Sequence, residues 1–321
     1  ELTLAEVEQD IAEAYANTPN DLYARQLANY QLSKMNALLN LEDPTPEQQQ
    51  EFQVAAGNGV NAAQLAVDSD PTDSQNWSVL GSIYSVLAAA GVEGAGDRAR
   101  EAFETARTYD PSNPSYSLLQ AQLASRTGDL EAARTAAISA AQLKPNYTDA
   151  LFFITQLDIA AGNVEDAIVT TRAIISLEPN NPARYYQLGV LESSAGNNDR
   201  AIAAFTRAVA LDQNYANARY FLALAQLQVG ENDQALEQLR AVLALNPGNS
   251  QVSELIAQVE SGASFEADTE AVTEQIDVIE GVSESDDGQV TTTEVPDTDL
   301  IVPVNTVSED TDAEVSEEVT N

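Results

Sequence analysis

Histidine and cysteine are both absent from this chain of 321 residues, and the two absences remove most nucleophilic catalytic designs at once. A serine nucleophile would lack its imidazole base, a thiol nucleophile does not exist, and the usual zinc ligand sets cannot be assembled. Without cysteine no disulfide framework forms, and the redox compartment stays open. Lysine is almost missing, with only Lys34 and Lys144; the other twelve bases are arginine, so 14 bases face 51 acids and the formal net charge is −37. Such a surface repels phosphate, which argues against nucleic acid and anionic lipid head groups as partners and leaves basic proteins, cations and polar glycans. No apolar run approaches the ~20 residues of a membrane span. The acidic, lysine-poor surface fits salt adaptation and an extracytoplasmic location equally. Residue 1 is Glu rather than Met and no signal peptide is visible, so the expectation is a piece of a longer protein whose upstream part could carry an anchor.

What is abundant is alanine and regular spacing. Apolar residues make up 44% and aromatics 6%, a balance that suits closely packed helices better than a sheet sandwich. Gly128, Gly162, Gly196 and Gly230 follow one another at intervals of 34 residues. Pro111, Pro145, Pro179 and Pro247 keep the same interval, with Gln213 standing where a further proline would fall. Between each Gly and the next Pro runs a small or apolar stripe at helical spacing: Ala133, Ala137 and Ala140; Ala201, Phe205 and Ala208; Ala235, Leu239 and Val242. Each Gly falls where one helix must stop and reverse with positive φ, and each Pro where the next helix ends.

On these residues the sequence resembles the tetratricopeptide repeat family. Trp77, Leu80, Gly81 and Tyr84 match the family's opening pattern, which continues to Ala99, Phe103, Ala106 and Pro111 after six extra residues. A second good match carries Tyr185, Leu188, Gly189, Gly196, Ala201, Phe205 and Ala208. Elsewhere the small glycine is replaced, by Ala121, Thr155 and Ala223. The resemblance implies an all-α fold: an α-solenoid, a right-handed superhelix of antiparallel helical hairpins, with an acidic and mostly non-helical C-terminal tail. It covers residues 74–261 as five hairpins and a capping helix near 250–261. One hairpin cannot bury its own apolar face, so neighbours stack and the core runs along the array.

Upstream, residues 1–73 read as divergent helices of the same type, with long helices over 20–41 and 45–69. Val7, Ile11, Ala14 and Pro19 reproduce the spacing of Ala235, Leu239, Val242 and Pro247, as though the chain began on the second helix of a repeat. Residues 262–321 hold 18 acids, no base and one aromatic, Phe265, and the expected state is a solvated tail, disordered or extended. Within it Leu300, Ile301, Val302 and Val304 form an apolar, β-prone segment, a candidate for self-association.

Catalysis by carboxylates alone would need two acids facing each other across a pocket. The acids here fall mostly on polar helix faces and in the tail, so the chain reads as a non-enzyme with no cofactor and no metal. Asp287, Gly288 and Glu294 keep part of a calcium loop, but Ser283 and Ser285 stand where its first two acids belong. Asn76-Trp77-Ser78 and Asn146-Tyr147-Thr148 are sequons.

The resemblance also implies that first-helix residues line a concave groove. Phe152, Tyr186 and Tyr220 share one such position, Phe153, Gln187 and Phe221 the next, and Gln122 and Gln156 lie one turn away. They read as an aromatic ladder with amides for holding a peptide, or as rings packing on adjacent first helices. Some family members grip acidic C-terminal peptides with basic residues in this groove. The corresponding positions here are Ser78, Ser82, Leu118, Gln122, Asp149 and Phe153, none of them basic, which disfavours that role. The leading expectation is a scaffold that binds a protein or peptide partner in the groove. The alternatives are a structural extracytoplasmic or cell-surface module, self-associating or membrane-anchored, and an accessory domain of a larger membrane glycan polymerase or ligase.

Overall fold

The computed structural model describes residues 20–41 and 43–262, and these residues form thirteen α-helices and no strand. The readings at Val7, Ile11, Ala14 and Pro19, at Asp287–Glu294 and at Leu300, Ile301, Val302 and Val304 lie outside the described residues. The helices fall into two compact units, the first ending at Gly162 and the second starting at Asn163. The first unit holds α1 (Asp21–Leu39), α2 (Pro46–Ser69), α3 (Ser74–Ala89), α4 (Ala95–Tyr109), α5 (Pro114–Arg126), α6 (Leu130–Leu143) and α7 (Thr148–Ala160). The second holds α8 (Val164–Leu177), α9 (Pro182–Ser194), α10 (Asn198–Leu211), α11 (Ala216–Gln228), α12 (Asn232–Leu245) and α13 (Ser250–Glu260).

In the first unit α1 pairs with α2, α3 with α4 and α5 with α6; each second helix also meets the next first helix. First helices touch one another directly, α1 on α3 and α3 on α5. The second unit repeats the scheme with α9 on α10, α11 on α12, α9 on α11, and α13 closing on α12. Among the described residues no helix is long and apolar enough to cross a membrane.

The punctuation read from the sequence is what builds the hairpins. Gly128, Gly162, Gly196 and Gly230 take φ of +83°, +74°, +74° and +80°, a region that costs a side-chain-bearing residue about 1–2 kcal/mol. Most second helices begin just after these turns without a side-chain cap. The first helices α3, α5 and α9 are instead capped by Asp73, Asn113 and Asn181, each accepting from a backbone N–H two residues on.

A further bond closes the turn between repeats. The indole Nε1 of Trp77 donates to the Pro71 carbonyl at 2.8 Å, and the hydroxyl of Tyr185 to the Pro179 carbonyl at 3.1 Å. Arg219 Nε does the same to Gln213 at 2.8 Å. Three side-chain chemistries thus make one bond at equivalent positions, six residues back to the turn.

The second-helix stripes are the core. Ala133, Ala137 and Ala140, Ala201, Phe205 and Ala208, and Ala235, Leu239 and Val242 are all fully buried. Phe103 and Phe205 lie under the first-helix glycines: a Cβ added at Gly81 would meet Phe103 at 2.6 Å, and one at Gly189 would meet Phe205 at 2.5 Å. That close approach is why glycine stands there. Leu188, its neighbour in the motif, is only half-buried.

Candidate partner-binding surface

The residues read as groove-lining divide sharply by burial. In the first unit Phe153 and Gln122 are half-buried, as are Gln156, Ser78 and Ser82, while Phe152 is buried. Phe153 on α7 packs against Leu118 of α5 together with Ala140 and Ala150, so α5 and α7 present neighbouring side chains. Ser82 Oγ donates back to the Ser78 carbonyl at 2.9 Å.

In the second unit the corresponding residues are drawn inward. Tyr186, Gln187, Tyr220 and Phe221 are each less than 9% exposed. Tyr186 sits 5.3 Å from the ring of Tyr215, 5.8 Å from Phe221 and 5.9 Å from Phe205, and Tyr220 meets Phe221 edge-on at 5.5 Å. The structure therefore gathers three of the predicted residues into one aromatic cluster with Phe205 and Tyr215, whose packing contributes beyond its buried area. Burial raises the Tyr186 phenol well above its ordinary value, and the neighbouring Tyr215 adds to the rise. Tyr215 is raised by burial first and by the Asp212 charge second. Both stay neutral across the physiological range. The side-chain oxygen of Gln187 is buried and meets no protein donor.

The two sequons are not equivalent. Asn76 is fully buried, donating to the carbonyls of Ala66 and Asp70, both at 3.0 Å, and accepting from Arg25 at 2.7 Å. Its amide is a structural pin between α2, the following turn and α1. Asn146 is exposed in the turn between α6 and α7.

Two family models decide the ancestry of the chain. One, tetratricopeptide repeat, matches residues 126–189 and 193–259; another of the same description matches 92–148, and together they span about half the chain. The chain belongs to the tetratricopeptide repeat family. Both matches begin downstream of Trp77, Leu80, Gly81 and Tyr84, which precede the six extra residues. No curated protein matches the chain. Among solved structures it is similar to the MamA protein, at 22% identity and a TM-score of 0.44, over 53% of this chain and 88% of that one. It is also similar to YrrB, described as a TPR protein with an unusual peptide-binding site, at 15% identity and TM-score 0.48, over 61% and 98%. A tetratricopeptide repeat protein from Parabacteroides merdae is similar at 16% identity and TM-score 0.44, over 80% and 92%.

The repeats carry one polar position that the sequence reading passed over. Asp158, Glu192, Gln226 and Glu260 stand 34 residues apart at the ends of first helices. Asp158 and Glu192 are each 1% exposed, against the reading of the acids as solvated surface. Asp158 takes Arg134 Nε of the preceding second helix at 2.8 Å. Glu192 takes Arg172 of α8 and the Asn197 amide, the latter at 2.9 Å. Glu260 takes Arg240 of α12 at 2.7 Å. Each acid ties a first helix to the second helix before it. At Gln226 no arginine answers, its side-chain oxygen has no donor, and the junction of α10 with α11 is held by Phe205 and Phe221 at 6.1 Å instead. The 34-residue interval was the signal available for this position.

Proposed function

We propose that the chain is a non-catalytic scaffold that holds a segment of another protein along its first-helix face. The fold of the family is one of protein interaction, and a single observation carries the finer reading. In the first unit α3 lies directly against α1 and α5, and Phe153 of α7 packs on the cluster that holds Leu118 of α5, so Ser78 and Ser82, Gln122, and Phe153 and Gln156 form neighbouring half-exposed patches of hydroxyl, amide and ring. Amides and hydroxyls satisfy a peptide backbone, and a ring offers an anchor for an apolar side chain. The buried rings of the second unit support the array by packing and leave recognition there to their rims.

The test is selection of twelve-residue peptides displayed against the whole chain, followed by affinity measurement on variants. Phe153→Ala and Gln122→Ala should each weaken the selected peptides about tenfold, roughly 1.4 kcal/mol, as for a contributing interface residue. Val169→Ala, on the exposed face of α8, should leave affinity unchanged. Equal affinity for all three variants would reject the reading. Light scattering on the whole chain should give a monomer; an assembly that is lost when the chain ends at Gly262 would favour the self-associating module.

A further inference from the structure

In a chain with 51 acids, two contacting first helices carry none. Helix α3 has 16 residues and no charge of either sign; α5 has 13 residues and a single charged group, Arg126, at its last position. The other first helices of the tetratricopeptide stretch differ: α7 carries Asp149 and Asp158, and α9 and α11 carry Arg184, Glu192 and Arg219, whose side chains are all engaged. Arg184 pairs with Glu178 at 2.9 Å, Glu192 with Arg172, and Arg219 bonds Gln213 and Gln238.

Arg126 has no such partner. Among the described residues its guanidinium reaches no carboxylate; its hydrogen bond is a long one of 3.5 Å to the hydroxyl of Ser85 on α3. Its side chain is exposed overall, yet partial burial beside α3 lowers its pKa, with no acid to offset the loss. An arginine in that position keeps donors of its planar fork free. Ser85 is 6% exposed, and its hydroxyl accepts from Arg126, so its own proton remains to donate. Gln122 lies one turn before Arg126 on the same helix, half-buried, adding amide donors.

We propose that Arg126, with Ser85 and Gln122, binds a side-chain carboxylate of the partner segment, an Asp or Glu crossing from α3 to α5. This rests on the first-helix face being the binding face. A side chain rather than a chain terminus is the fitting source. The layer of first helices continues to α1 on one side and to Phe153 of α7 on the other, so a bound segment runs through this point instead of ending at it. The long-range field of the protein is negative, so the preference is for one acid among neutral or basic neighbours, not for an acidic run.

The experiment is NMR titration of the isotopically labelled whole chain at constant ionic strength. N-acetyl-glutamate amide is the probe, with N-acetyl-glutamine amide and N-acetyl-glycine as its neutral and chain-terminus counterparts. The glutamate probe should shift the Arg126 side-chain N–H and the Ser85 and Gln122 amide signals saturably. The glutamine probe should not, and the glycine probe should bind more weakly. Arg126→Gln should weaken the glutamate response at least tenfold. Arg207→Gln, which removes a guanidinium stacked over Tyr185, should leave it intact. Equal shifts at every arginine, or a response that survives Arg126→Gln, would overturn the assignment, as would stronger binding of the glycine probe. Failure here leaves the peptide-selection result standing, because that result is also read at Phe153, which lies outside the carboxylate site. A response at Arg126 without selected peptides would instead separate carboxylate binding from the peptide reading.

Discussion

First and second helices of this array solve the same burial problem with opposite sequences. Second helices bury a single stripe: α6 hides Ala133, Ala137 and Ala140, and α12 hides Ala235, Leu239 and Val242. Their remaining faces are in water and carry residues such as Glu101, Glu104 and Glu237. First helices are enclosed between neighbours on both sides. Nine of the thirteen residues of α11 are buried, and the helix is apolar nearly all round, as a fully packed helix must be. The teaching is that one element advertises its buried face and the other does not.

Substitutions at several depths should separate the two kinds of helix, each read by urea denaturation. Phe205→Ala empties the site where a second-helix ring lies under a first-helix glycine, and should cost about 3–5 kcal/mol. Gly189→Ala attacks the same contact from the other side. Its Cβ would meet the ring at 2.5 Å, and the forced shift should cost about 1–3 kcal/mol. Arg172→Ala removes the main cation from buried Glu192. Because Arg172 is itself about half exposed, the cost should be about 1–3 kcal/mol, and Arg200→Ala, at 4.0 Å from the same acid, should cost less. Val169→Thr on the exposed side of α8, 65% exposed, should stay within about 0.5 kcal/mol. A large loss at Val169, or a negligible one at Phe205, would erase the distinction between the faces.

The smallest effect is a titration. Asp70, in the turn before α3, is held below the ordinary carboxylate range, first by the Thr72 hydroxyl at 2.7 Å and then by the Thr72 backbone N–H at 2.9 Å. A depressed folded pKa means that its stabilisation is present above the unfolded value and fades as pH falls through the folded one. Thr72→Val removes the leading cause, so the Asp70 carboxyl signal should titrate at higher pH in that variant. An unchanged midpoint would show that the hydroxyl is not the cause.

What was legible follows from the same contrast. The glycine and proline intervals marked the turns, and stripes such as Ala201, Phe205 and Ala208 marked the buried side, because a surface helix has only one apolar face to show. The readings of helices over 20–41 and 45–69 met α1 and α2 within a few residues. The candidate site was harder. Tyr186 and Phe153 fall at neighbouring first-helix positions, yet one is buried among rings and the other half-exposed, and that depends on Phe205, Tyr215 and Phe221 rather than on local pattern. Asp158 and Glu192 looked like surface acids because their arginines lie on a different helix, 24 and 20 residues away. Arg126 drew no notice because its importance lies in the acids that α3 and α5 lack.

The most direct test of the central claim, that the first helices hold the partner, is hydrogen exchange on the whole chain with and without a selected peptide. Binding along the first helices should add protection in α3, α5 and α7 and none on the exposed faces of α4 and α6. Protection confined to α4 and α6 would contradict it and move the binding surface to the opposite side of the hairpins.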